Sequence, residues 1–128
     1  MHTTHTENMS TKLTPSTTYR AIVGKILAMH RESRGLQQTE FAETLGLSQS
    51  AWSRIETGTV SVSVEQLKLA TQRLGTTPDN VLREAEQAVT QLSRRGMRVL
   101  LEQETDPALA FVGAAALGAL IVAILSKK

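Results

Sequence analysis

Gln49, Ser50, Ser53 and Arg54 lie close together in the chain, and at helical spacing they share one side while Trp52 and Ile55 take the other. All four carry side chains that can read the edge of a base pair. Glutamine can make a bidentate pair with adenine, arginine can pair with guanine or hold a phosphate, and serine offers a hydroxyl that donates or accepts. This is chemistry of recognition, with no bond made or broken. No pair of carboxylates in a pocket-forming context, Gly-rich phosphate loop, or nucleophile with a base at motif spacing occurs, so no catalytic residue is expected and an enzyme is not. The chain has no cysteine, which excludes a disulfide framework and a thiolate metal site. His2 and His5 have no third ligand nearby, so neither a metal site nor any other cofactor is expected.

These side chains need elements to hold them. From Tyr19 to about Leu82 the apolar pattern is helical, with no alternating run long enough for a strand. Ile22, Val23, Ile26 and Leu27 recur at helical spacing in a first helix that ends at Gly35, with Arg31 and Arg34 placed favourably for its C-terminal dipole. A second helix from Gln38 to about Leu45 turns Phe41, Ala42 and Leu45 inward and stops at Gly46. Ser48 is a good N-cap for the third, which carries Trp52 and Ile55 inward and ends before Gly58. Ser63 and Gln66 make a capping box for the fourth, closed by Gly75. A fifth begins near Pro78 or Asp79. Two short helices separated by Gly46-Leu47-Ser48 form a helix-turn-helix arrangement, whose second member is a probe for a major groove about 12 Å wide.

The stretch from about Ile22 to Leu82 resembles the phage-repressor-like, or xenobiotic-response-element, helix-turn-helix family. The residues that carry the likeness are Arg31 and Gly35-Leu36, Gln38, Phe41-Ala42, Leu45-Gly46, Ser48-Gln49-Ser50, Trp52 to Glu56, Gly58, Ser63, Leu67, Leu69-Ala70 and Leu74-Gly75. The resemblance implies a five-helix DNA-binding domain that works as a dimer on two half-sites. It implies that Gln38 holds a DNA phosphate and braces the probe helix, and that Gln49 and Ser50 begin the base-reading positions. Arg54 would contact bases or backbone, and Thr57 a further phosphate. Glu56 stands in an acidic position that phosphate would repel, so it is expected in an ion pair with an arginine of the first helix. The chain departs from the family at Gln37, where a Ser cap is usual, at Val62, where Pro is common, at His30, usually apolar, and at Trp52, usually a smaller aliphatic.

Bulk charge argues little. The net charge of the 128 residues is +2, so nucleic-acid binding must come from placed residues. Residues 1–18 are Thr/Ser-rich with almost no apolar side chains and are expected to be a disordered arm. Beyond the domain, Leu82, Ala85, Val89, Leu92, Gly96 and Val99 follow a heptad seam, which suggests an amphipathic helix over 83–105 that joins two copies or lies on its own domain. Residues 108–125 are consecutively apolar and uncharged. As one helix they would span about 27 Å against a hydrocarbon core of about 30 Å, long enough to anchor the chain in a bilayer. Rows of small residues at Ala110, Ala114 and Gly118, and at Ala115, Ala119 and Ala123, would let such helices pair.

The reading is therefore an all-α chain: a disordered arm (1–18), a five-helix lambda-repressor-like domain (19–82), an amphipathic linker or dimerisation helix (83–105) and a hydrophobic, membrane-spanning helix (108–125). Its expected function is sequence-specific regulation of transcription through double-stranded DNA, with Gln38, Gln49, Ser50, Ser53, Arg54 and Thr57 at the interface. It would act as a homodimer with the domain in the cytoplasm, anchored to the cell membrane, and no small-molecule ligand is evident. The rivals are a soluble regulator whose tail joins subunits and an adaptor that uses the fold to bind another protein.

Overall fold

The computed structural model describes residues 13–102 and 108–126. Five helices form its centre: α1 (Tyr19–Ser33), α2 (Gln38–Thr44), α3 (Gln49–Glu56), α4 (Val64–Leu74) and α5 (Pro78–Arg94). Their starts are fixed by the expected hydroxyls. Ser48 Oγ accepts from the Ala51 N–H at 3.1 Å. Ser63 and Gln66 exchange two bonds of 3.0 and 2.9 Å, and Thr77 caps α5 ahead of Pro78. Each such cap supplies about 1 kcal/mol by satisfying an otherwise orphaned N–H. At Gln37, where a Ser cap was missing, the backbone N–H is instead taken up by Glu40 Oε1 at 3.0 Å.

The apolar faces of these helices meet in one core that includes Ile22, Ile26, Leu27, Phe41, Trp52, Ile55, Ala70, Leu74, Val81 and Leu92. Two glycines let α3 and the turn after it close on α1. A Cβ at Gly24 would stand 2.0 Å from the Ile55 carbonyl oxygen, and one at Gly58 2.5 Å from Ala21. Gly58 also has φ +79°, which L side chains rarely adopt.

The expectation of an all-α chain needs correction. Thr14–Thr18 is a strand, β1, at the centre of a three-stranded parallel sheet between β2 (Arg98–Leu100) and β3 (Leu109–Phe111). Ser16 lies opposite Arg98 on one side and Phe111 on the other. The end of the arm that was expected to be disordered is thus ordered, with Ser16, Thr17 and Thr18 buried; the rest of the arm, residues 1–12, lies outside the described residues. The β-branched Thr14, Thr17 and Thr18 suit a pleated strand. The hydrogen-bonding partners, however, come from more than eighty residues away in the chain, and local composition cannot announce them.

The linker and tail also differ from expectation. The fifth helix and the amphipathic linker are one element, α5, so the expected boundary at residue 82 falls inside a helix. Its buried residues are Val81, Ala85, Ala88 and Leu92, turned towards its own domain. The heptad seam ends there, because Gly96 turns the chain at φ +87° and Val99 lies within β2, opposite Thr17. Residues 108–125 are not one helix either: β3 precedes α6 (Ala114–Leu125). Twelve residues at about 1.5 Å each cover about 18 Å, short of a bilayer. Among the described residues no helix is long and apolar enough to cross a membrane, which removes the basis for the expected anchor. Instead α6 buries Leu117, Gly118, Ile121 and Ile124 against the bundle. Gly118 leaves room for the stem of Lys25, whose Cδ and Cε would stand 3.1 Å from a Cβ there.

Candidate nucleic-acid interface

Gln38–Thr44 and Gln49–Glu56 are joined through a turn in which the Gly46 N–H donates to Glu43 O at 3.1 Å and the Leu47 N–H to Ala42 O at 2.9 Å. Two short helices with so tight a joint are held at a fixed angle. Phe41 and Trp52 lock them from inside, with ring centroids 5.0 Å apart and planes inclined by 58°. Trp52 is fully buried, so it is a core residue.

Behind α3 the Glu56 carboxylate gathers four donors. Arg31 gives Nε at 2.6 Å to Oε2 and Nη2 at 3.1 Å to Oε1. Gln38 Nε2 gives a bond of 2.7 Å to Oε1, and Trp52 Nε1 donates to Oε2. This is the ion pair expected from an arginine of the first helix. It buries the one acidic side chain of α3, only 4% exposed, against a bidentate cation, and so takes its negative charge away from the outer face.

The network runs outward as well. Gln38 Oε1 accepts from Gln49 Nε2 at 2.7 Å, so the first residue of α3 is tied through α2 to the buried carboxylate. Gln49 Nε2 keeps a second N–H and Oε1 stays free, enough for a bidentate partner. Gln38 itself is half-buried.

The remaining expected site residues fall around this anchor. Ser50 is exposed, with its hydroxyl 3.3 Å from that of Ser48. Ser53 is half-buried and its hydroxyl makes no bond among the described residues, whereas Arg54 is exposed and pairs with no described carboxylate. Thr57, just past α3, is exposed and its Oγ1 lies 3.0 Å from that of Thr59. Gln49, Ser50, Ser53, Arg54 and Thr57 thus form one outer strip without an acidic side chain, and Gln38 stands behind its first residue.

Supports that the sequence reading missed hold this strip from a distance. Arg73 Nε and Nη2 reach Thr44 O at 3.3 and 3.1 Å, closing the end of α2 from α4. Arg34 Nη1 reaches Leu74 O at 3.0 Å. Both are cations at orphaned helix-terminal carbonyls, a pairing that needs the tertiary fold to be seen. His30, where an apolar residue was usual, bonds through Nε2 to Glu84 Oε1 at 2.8 Å and ties α1 to α5. The exposed hydroxyl of Thr59, beside Thr57, was also not singled out.

Two solved structures are similar to this arrangement. One crystal structure of the clp gene regulator ClgR from Corynebacterium glutamicum is 28% identical, with a TM-score of 0.58 over 60% of this chain and 82% of that one. A second crystal structure of ClgR from the same organism is 32% identical, with a TM-score of 0.51 over 53% of this chain and 88% of that one. No curated protein sequence matches the chain. The family described as helix-turn-helix domain matches residues 22–85, a span that holds α2, α3 and the whole Glu56 network, and the chain belongs to that family.

Proposed function

We propose that this chain is a sequence-specific DNA-binding regulator of transcription, of the phage-repressor-like kind, that lays α3 in the major groove. In this reading Gln49, Ser50, Ser53 and Arg54 face base edges, and Gln38 and Thr57 hold phosphates on either side. It acts by occupying DNA, not by catalysis, in the cytoplasm, and as a homodimer over two half-sites. The observation that carries the reading is the placement of Glu56. The single carboxylate on α3 is turned inward and spent on Arg31, Gln38 and Trp52, which leaves the outer strip free of the charge that a polyanion would repel. The likeness to a gene regulator supports it.

The test is selection of bound sequences from a randomised duplex pool, followed by titration of the selected site against a scrambled one at several salt concentrations. The reading expects a preference of about 10³-fold or more for the selected site. It also expects that preference to collapse in the Gln49→Ala, Arg54→Ala double variant with helicity unchanged. A chain that enriches no sequence, or whose weak binding is indifferent to those two substitutions, is an adaptor for another protein. That rival is favoured by the balance of seven basic against six acidic residues between Tyr19 and Leu82.

A further inference from the structure

We infer that a groove between the start of α1, the start of α4 and the end of β2 is the surface on which a second copy of this chain docks, with Leu101 as the inserted side chain. The groove encloses about 340 Å³ and is lined by Tyr19, Val62, Val64, Leu82 and Leu101, with Arg20 at its edge. Three of these are among the large apolar side chains left in water: Leu101 is 83% exposed, Val64 79% and Leu82 38%. The other exposed large apolar residues are Leu13, Val60, Phe111 and Val122. A hollow flanked by projecting apolar side chains can receive the same projections from a copy turned through a two-fold axis, as an isologous interface requires.

Charge selects the occupant. Arg20 pairs with no carboxylate among the described residues, and its Nε is shut from water without an acceptor there. Glu65 beside Val64 and Glu102 beside Leu101 are exposed and have no partner among the described residues. Arg20 lines the groove, and Glu65 and Glu102 each directly follow a lining residue, so a free cation and two free carboxylates accompany its apolar centre. A strongly acidic or basic partner meets its own sign somewhere on that rim, and a nucleic acid meets Glu65 and Glu102. A second copy offers both signs to both signs. Part of the groove lies beyond the family span: Tyr19, Arg20 and Leu101 are outside residues 22–85 and are carried by the junction of β1 with α1 and by the end of β2. The added sheet thus builds half of the interface. Its other wall, Val62 to Val64, leads on from the turn after α3, and a copy docked there would join two probe helices in one assembly, as two half-sites need. This last point rests on the DNA-binding reading; the groove itself does not.

The experiment is sedimentation of the full chain without DNA, from about 1 to 100 µM, the range in which interfaces of this class associate. Leu101→Glu and Val64→Glu are compared with Val122→Glu, which places the same charge on the outer face of α6. The expected result is a wild-type dimer, a dissociation constant raised at least about 30-fold by either groove substitution, and no change with Val122→Glu. Circular dichroism and the fluorescence of the single tryptophan, Trp52, verify that each variant is folded. A monomer at about 100 µM overturns the inference and assigns the groove to a small apolar ligand or another protein. So does a dimer that ignores Leu101→Glu and Val64→Glu, or one that only Val122→Glu breaks. If the groove variants dissociate the dimer and no sequence is ever selected from the duplex pool, the interface stands and the DNA reading falls. If a monomer binds a selected half-site, the reverse holds.

Discussion

Arg31 Nε stands 2.6 Å from Glu56 Oε2, a bidentate ion pair of which 7% of Arg31 and 4% of Glu56 reach the surface. It joins the last turn of α1 to the last residue of α3, and Arg31 Nη1 also donates to Leu36 O ahead of α2. A pair this deep costs much of its attraction in lost hydration, so its removal as a unit and its breakage have very different effects. Glu56→Ala strands a buried guanidinium and is expected to cost about 3–5 kcal/mol. Arg31→Met with Glu56→Leu is expected to cost much less. Urea unfolding followed by the single tryptophan measures both, and equal losses for the two would refute this account.

Gln38→Ala separates the brace from the probe. The mutant loses one bond to Glu56 and one to Gln49, each worth about 1 kcal/mol, so the fold survives with a modest loss of stability. If Gln49 must be held to read a base, affinity for a selected duplex falls at least about tenfold, while binding to scrambled DNA falls less. Arg54→Ala tells base from backbone. Loss of a base contact costs about 1–3 kcal/mol and relaxes one position of the site, whereas loss of a phosphate contact lowers the slope of log affinity against log salt by about 0.9.

Gly24→Ala asks whether α1 and α3 need their close approach. The added methyl would lie 2.0 Å from a main-chain oxygen, which cannot swing away as a side chain could. We expect a loss above about 3 kcal/mol, at the upper end of overpacking penalties, read as a fall in the midpoint of thermal unfolding. The exposed Gly35→Ala, at φ +71° with nothing within 4 Å, should cost only about 1 kcal/mol. Similar losses at the two sites would mean that helix approach is not the reason for Gly24.

Ile121→Ala and a chain ending at Gly113 test the tail. Ile121 is fully buried, so truncation to Ala should cost about 2–5 kcal/mol. Removal of α6 should lower the unfolding midpoint further, because the faces of α1 and α5 beneath it would open to water. An unchanged midpoint would show that α6 does not belong to this core.

Tyr19 gives the pH dependence. Burial first, then the hydrogen bond to Glu86 Oε2 and that group's negative charge, push its hydroxyl up to about 12. A pKa raised on folding stabilises fully below the unfolded value near 10 and is lost as pH rises through the folded value. The wild type should therefore lose more stability than Tyr19→Phe between about pH 10 and 12. Because the chain has one tyrosine, absorbance of the phenolate reads its midpoint directly, and a midpoint near 10 would refute the effect.

The sequence by itself determined what depends on neighbours in the chain. Ser48, Ser63 and Gly75 mark helix ends because a cap acts on backbone groups a few residues away, and the split between Trp52, Ile55 and the strip from Gln49 to Arg54 follows from 3.6 residues per turn. That Glu56 pairs with an arginine of the first helix was legible, because a lone acid on a face proposed for phosphate demands a nearby cation; that the partner is Arg31 was decided by the fold. Only the tertiary structure decided the rest. Thr14 to Thr18 become a central strand solely because residues 98–100 and 109–111 arrive on either side. Residues 108–125 read as a bilayer span because uniform hydrophobicity states that a segment must leave water without stating where it goes, and here the faces of α1 and α5 supply the place. The heptad from Leu82 to Val99 stopped at Gly96 for the same reason: periodicity orders a face, and only packing chooses what it meets.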